Sequence, residues 1–212
     1  VPMLSLPPTL TELDLGDAYT HPIPTNTALQ KLSFGEHGEY NRTLDLPPTL
    51  IELSLSHLYN QPFEQTLLYT HLRTLTLGDK FNHPILPGTL PISLRYLRIG
   101  RNFNMPFVTG SLPVFLEKLH FDTYSRFDHP IGLATLPETL VELQFGHKSR
   151  FNSPIQWLPN SINVLQFGFK FQHVLPNIPL STKFIYLSFR SRLKRTLLVD
   201  NLPEHMLRNT DR

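Results

Sequence analysis

The chain is 212 residues long, 40% hydrophobic and formally +2, with twenty prolines and no cysteine. The missing cysteines exclude disulfides and thiolate metal sites and fit a reducing compartment, while the small net charge offers no global field for nucleic acid or an anionic membrane. No apolar run approaches the ~20 residues that span a bilayer, and no signal-peptide pattern opens the chain, so a soluble intracellular protein is expected.

Proline at roughly twice its ordinary ~5% share would read as disorder if scattered, but most prolines fall at fixed places in a recurring unit. Val1–Leu6 reads as the end of a return segment. Thereafter the second leucine of a Leu-x-x-Leu pattern recurs as Leu13, Leu32, Leu53, Leu75, Leu97, Leu119, Leu143, Leu165 and Leu187, at steps of 19, 21, 22, 22, 22, 24, 22 and 22 residues. We number the copies one to nine by these markers. A period in the low twenties lies in the leucine-rich-repeat range.

Two residues after each marker stands Leu15, Phe34, Leu55, Leu77, Ile99, Phe121, Phe145, Phe167 or Phe189, and three before it Leu10, Leu29, Leu50, Leu72, Leu94, Leu116, Leu140, Ile162 or Phe184. The alternation predicts a short strand whose marker and second neighbour face inward while the flanking residues face out. One strand cannot bury its apolar side alone, so stacking in parallel is expected.

A glycine usually follows the strand (Gly16, Gly35, Gly78, Gly100, Gly146, Gly168), and is expected to supply the backbone angles of a turn. Then comes one ring per copy (Tyr19, Tyr40, Tyr59, Phe81, Phe103, Phe127, Phe151, Phe171), often followed by asparagine (Asn41, Asn60, Asn82, Asn104, Asn152). An internal aromatic ladder is predicted, beside stacked asparagines that satisfy loop backbone groups. Prolines on both sides of the return leave little room for helix.

The ends depart from the pattern. Arg190-Ser191-Arg192-Leu193-Lys194-Arg195 replaces the Gly-Phe-Asn-Pro logic, and Asn209 stands where a tenth marker belongs. The expected organisation is one solenoid over residues 1–200 and a C-terminal cap or tail over 201–212.

Leu-x-x-Leu-x-Phe-Gly followed by Phe-Asn-x-Pro-Ile resembles the FNIP repeat, a leucine-rich-repeat relative of amoebae and their giant viruses. The best copies are Phe81-Asn82-His83-Pro84-Ile85 and Phe151-Asn152-Ser153-Pro154-Ile155, and the resemblance covers about residues 6 to 200. It implies a mainly β, leucine-rich-repeat-like curved solenoid with a parallel sheet on its concave face and extended or turn segments on the convex side. It also implies a protein-interaction scaffold or substrate-recognition module, cytoplasmic in a host or amoebal cell. Some family members carry an N-terminal F-box and serve ubiquitin ligases; no F-box is recognisable here.

Residues flanking each marker are free of folding duty and mixed in chemistry. Copies five to seven bring Tyr96, Arg98, Lys118, His120 and Glu142 together, with Arg101 just beyond the strand. Aromatic plus arginine is the composition of interface hot spots, so this patch is the expected site for a protein partner. The alternative is a nucleic acid or phosphate ligand held through Arg98, Arg101, Lys118 and the end cluster Arg190, Arg192, Lys194 and Arg195, although the near-neutral chain makes nucleic acid the weaker expectation. His21, His83, His129 and His173 all occupy the x of Phe-Asn-x-Pro in non-neighbouring copies, too far apart to share one metal. Glu12 and Asp14 share a face but lack a pocket or third group, and no phosphate loop or nucleophile elbow occurs. Neither enzyme activity nor a cofactor or metal is expected.

Overall fold

The computed structural model describes residues 6–23, 28–63, 71–175 and 178–187, with the backbone of 207–209. Among the described residues, ten short strands form one sheet in strict chain order: β1 Glu12–Asp14, β2 Lys31–Ser33, β3 Glu52–Ser54, β4 Thr74–Thr76, β5 Tyr96–Ile99, β6 Lys118–Phe121, β7 Glu142–Gln144, β8 Val164–Phe167, β9 Phe184–Leu187 and β10 Leu207–Asn209. Every adjacent pair is parallel, and the markers from Leu13 to Leu165 face one another in unbroken register. The result is a β-solenoid, and no helix occurs among the described residues.

The core is a set of columns running along the stack. From Leu32 to Leu165 the markers are buried, as are the positions three before them (Leu29 to Ile162) and two after (Phe34 to Phe167). Ile23, Leu44, Phe63, Ile85, Phe107, Ile131, Ile155 and Leu175 make a further buried column at the isoleucine of Phe-Asn-x-Pro-Ile. The ladder rings stack as predicted: Tyr59–Phe81, Phe81–Phe103, Phe103–Phe127, Phe127–Phe151 and Phe151–Phe171 have centroids 5.5 to 6.4 Å apart with planes within 14°. Burial pushes the Tyr40 phenol up to about 12; its hydroxyl donates to Thr43 O at 3.0 Å.

Polar ladders run beside the apolar ones. Asn41 Oδ1 accepts from Asn60 N–H at 2.9 Å, Asn60 from Asn82 at 2.9 Å, Asn82 from Asn104 at 2.9 Å and Asn104 from Asp128 at 3.0 Å. Asp128 then accepts from Asn152 at 2.8 Å and Asn152 from Gln172 at 2.9 Å, so an aspartate fills one rung without breaking the series. A second ladder was not foreseen: the hydroxyl before the inward leucine (Thr49, Ser93, Thr139, Ser161) donates to the leucine carbonyl of the preceding copy at 2.6 to 2.9 Å. The Leu-Pro openings are turns, in which Leu50, Leu94, Leu116 and Leu140 N–H donate to the carbonyl of the proline three residues earlier.

Two expectations are corrected at the ends of the stack. The ninth marker is Ile185, not Leu187: Leu165 faces Ile185, and Phe167 faces Leu187. A slip of two residues preserves the strand's facing, so hydrophobic alternation accepted either register. Thr182, not Phe184, is therefore the buried residue three before the marker, its hydroxyl donating to Ile162 O at 3.1 Å, and Phe184 is only partly buried. Phe189 lies outside the described residues. In the same register Leu207 faces Ile185, so a leucine and not Asn209 takes the tenth marker's place, in a strand formed within the segment expected as cap or tail.

At Gly16 the glycine supplies turn geometry as expected, but the other five serve a different purpose. Only Gly16 of the six has a left-handed φ, at 66°. A Cβ on Gly78 would lie 1.8 Å from Ser56 O, and one on Gly100 2.2 Å from Gly78 O, so glycine is required because successive backbones meet there. Gly100→Ala should therefore cost roughly 1–3 kcal/mol through forced overpacking. Gly132→Ala, whose new Cβ would have only ordinary contacts at 3.5 Å and beyond, should change stability by less than about 1 kcal/mol. Thermal unfolding of the two variants checks the contrast.

Candidate functional site

Alternation in β5 to β7 turns Leu97, Leu119 and Leu143 inward and leaves Tyr96, Arg98, Lys118, His120, Glu142 and Gln144 on the outer face. Register places Tyr96 opposite Lys118, Arg98 opposite His120, and Lys118 opposite Glu142. Glu142 is the hub. Its Oε1 receives Lys118 Nζ at 2.8 Å, and its Oε2 receives His120 Nε2 at 3.1 Å and Gln144 Nε2 at 3.5 Å. Tyr96 meets the His120 ring edge-on, centroids 5.0 Å apart. The carboxylate acceptor fixes His120 as the Nε2–H tautomer when neutral.

Burial lowers the His120 pKa from its ordinary value, outweighing the opposing pull of Glu142. For Glu142, burial acts upward, but the hydrogen bonds and charges of Lys118 and His120 prevail and hold the carboxyl below its ordinary range. At neutral pH the patch thus holds a neutral imidazole and an ionised carboxylate beside Lys118.

Arg98 and Arg101 part company. Arg98 stays beside the patch, its guanidinium 3.6 Å from Asp122. Arg101 belongs to the turn after β5, where its guanidinium lies 5.3 Å from the centre of the exposed Tyr124 ring. The four basic residues Arg190, Arg192, Lys194 and Arg195 lie outside the described residues. Of the repeat histidines, His83, His129 and His173 donate from Nε2 to the asparagine carbonyl of an earlier copy at 2.7 to 3.0 Å, which gives them a place in the loop ladder. Asp14 accepts from Ser33 Oγ and Gly16 N–H, both at 2.7 Å, and these two bonds hold it below the usual carboxylate range. Glu12 shares Lys31 with Glu52 at 3.5 and 3.6 Å.

The sequence reading missed a cleft of about 450 Å³ where the sheet face meets the turns, lined by Ser54, Thr76 and Arg98 from the strands and by Glu36, His37, His57, Asp79 and Asp122 from the turns. Asp79 lies 3.4 Å from His57 and also accepts Arg101 N–H at 3.2 Å. The available signal was the polar column that follows the strand-end glycine, or Ser56 in copy three, seen as Asp17, Glu36, His57 and Asp79.

The fold is that of a leucine-rich-repeat-like β-solenoid, with one strand and one polar-capped return per copy. The model of the FNIP Repeat matches residues 59–102 and 103–148, so this stretch carries FNIP repeats, in keeping with a leucine-rich-repeat-like protein of that kind. The chain is similar to CroV588, a giant-virus protein whose solved structure is described as a novel circular LRR protein structure. The two share 35% sequence identity and superpose with a TM-score of 0.78 over 87% of this chain and 28% of that one. The chain thus spans under a third of that protein's length. No curated protein matches it. No helix among the described residues is long and apolar enough to cross a membrane.

Protonation of the patch opposes folding. Because His120 titrates below its ordinary 6.5 in the folded state, its contribution is intact above about pH 6.5 and is lost as pH falls below it; Glu142 acts in the same direction below about 4.5. His120→Gln retains a donor for Glu142 without the titration. Its melting temperature should fall less between pH 7.5 and 5.5 than that of the unsubstituted chain, as differential scanning calorimetry at stepped pH would measure.

Proposed function

We propose that the outer face of β5 to β7 binds a protein partner, with Tyr96, Arg98, Lys118, His120 and Glu142 as the contact surface. Repeat solenoids of this type generally serve protein–protein interaction. The observation that carries the assignment to this face is the Glu142 hub, which holds lysine, histidine and, through the histidine ring, Tyr96 in one arrangement before any partner arrives. A preformed surface lowers the ordering cost of association. The neighbouring cleft gives a projecting partner side chain a place to lodge beside Arg98.

These side chains lie on the outer face of the sheet, whereas Leu97, Leu119 and Leu143 between them are fully buried. The partner is a folded protein or an extended segment presenting a hydrogen-bonding surface to Tyr96 and an acidic group to Arg98. A substrate-receptor role in ubiquitin ligation is one way such a surface is used.

The test is affinity capture from amoebal lysate with the native chain beside a Tyr96→Ala, Arg98→Glu, Lys118→Glu variant, followed by mass spectrometry and titration of the captured protein. Loss of even one hot-spot side chain, at ~2 kcal/mol, should weaken binding ~30-fold, so the variant should bind at least ~30-fold more weakly, with folding unchanged by circular dichroism. Equal capture by both baits removes the sheet face as the site. Ubiquitin-ligase subunits in the native capture alone support the adaptor role.

A further inference from the structure

Charge on this molecule is sorted by position. Most cations of the sheet side are answered locally: Lys31 by Glu12 and Glu52, Arg95 by Glu117, Arg98 by Asp122 and Lys118 by Glu142, while Arg73 and Lys183, in the column of Arg95, form no ion pair with a described carboxylate. The turns that follow the strands in copies four to eight carry six exposed cations, Lys80, Arg101, Arg126, Lys148, Arg150 and Lys170. None of these six forms an ion pair with a described carboxylate, although such pairs occur throughout the sheet face.

The row follows the repeat. Lys80, Arg126, Arg150 and Lys170 each stand immediately before the ladder ring of their copy, a position held by Ala18, Glu39 and Leu58 in the first three copies; in copy five the charge moves one residue earlier, to Arg101. Copies stacked ~4.8 Å apart spread the row over roughly 19 Å. The acids of the same turns are already engaged. Asp79 faces His57 and takes Arg101 N–H, Asp122 faces Arg98 and takes Tyr124 N–H at 2.8 Å, and Asp128 takes Asn152 N–H and Ser153 Oγ–H.

We propose that this rim of six unneutralised cations binds the phosphodiester backbone of single-stranded nucleic acid. A line of charge at a fixed repeat fits a ligand whose charge also repeats at fixed intervals, and half of the six are arginines, whose forked donors match phosphate oxygens. The backbone, not the bases, is the recognised part. Tyr124, the exposed ring of the row, lies under Arg101 at 5.3 Å and Lys148 at 5.0 Å, and its hydroxyl accepts from Lys148 Nζ at 3.2 Å, so it props two cations instead of offering a free stacking surface. Binding is therefore weak, independent of base sequence and salt-sensitive. The near-neutral net charge does not oppose it, because that total includes the acidic turns of copies one and two, with Asp17, Glu36 and Glu39, at the other end of the stack.

This inference goes beyond the sheet-face reading and fails separately from it. Fluorescence anisotropy with a labelled twelve-nucleotide oligo(dT) should give a log Kd that rises with log salt with a slope no greater than about 4, six contacts at ~0.7 each. Arg126→Ser, Arg150→Ser, Lys170→Ser together should lower the slope by about 2. The pair Arg101→Gln, Lys148→Gln, tested separately, should lower it by about 1.4. Lys118→Ser on the neutralised sheet face should leave it unchanged. Absence of binding at 25 mM salt, or an unchanged slope in both rim variants, overturns the proposal. So does a labelled octa-aspartate peptide that binds as tightly as oligo(dT) at matched salt, which would assign the rim to an acidic protein segment.

Discussion

Successive copies must bring their backbones close enough to share a parallel hydrogen-bond ladder, and residue choice in this chain follows from that approach. At Gly78 and Gly100 the preceding backbone occupies the space of a side chain. Where the approach leaves a backbone donor without a strand partner, an asparagine or Asp128 of the preceding copy accepts from it; carbonyls left over by the turns receive threonine and serine hydroxyls. The ring centroids of the aromatic ladder, 5.5 to 6.4 Å apart, exceed the strand spacing and are accommodated by offset stacking. Burial therefore comes from repetition: each copy covers the apolar face of its neighbour, and no copy has a core of its own.

Much of this was legible because a leucine that must be buried leaves the same trace in every copy. Eight markers from Leu13 to Leu165 lie in the predicted register, and the rings and asparagines stack where their phase placed them. The ninth copy misled for a physical reason. Its marker step is 20 residues, and the inward positions at Ile185 and Leu187 are both apolar, so a constant period selected the wrong one. What distinguishes them is Thr182, a polar residue buried at a leucine position because its hydroxyl reaches Ile162 O. Spacing alone also assigned Gly78 and Gly100 to turn geometry, since a close backbone approach between copies about 22 residues apart has no local signature in the chain.

The outer face was predicted as a list of residues, and the structure supplies its internal order. Glu142 joins Lys118 and His120 across strands, and Tyr96 packs on the histidine, so the patch is a connected unit. Arg101, adjacent in sequence to the same strand, turns to Tyr124, because one residue past the strand the chain has already entered the turn. The cleft formed by Ser54, Thr76 and Arg98 with the turn residues escaped the sequence reading since its walls come from several copies. Paired charges on the sheet and unpaired charges on the rim give the two surfaces different chemistry on one rigid scaffold. A short-range partner contact suits the first and a long-range, salt-sensitive attraction the second.

The central claim is that strand alternation separates the positions that build the stack from those free to meet a partner. The chain contains no cysteine, so single cysteines placed at 96, 97, 98 and 99, and at 184, 185, 186 and 187, report the facing of each position through their rate of reaction with a thiol reagent under native conditions. The account predicts fast labelling at 96, 98, 184 and 186, and protection at 97, 99, 185 and 187 until the protein is denatured. Equal reactivity along either strand, or protection at 184 and 186 with labelling at 185 and 187, would contradict it.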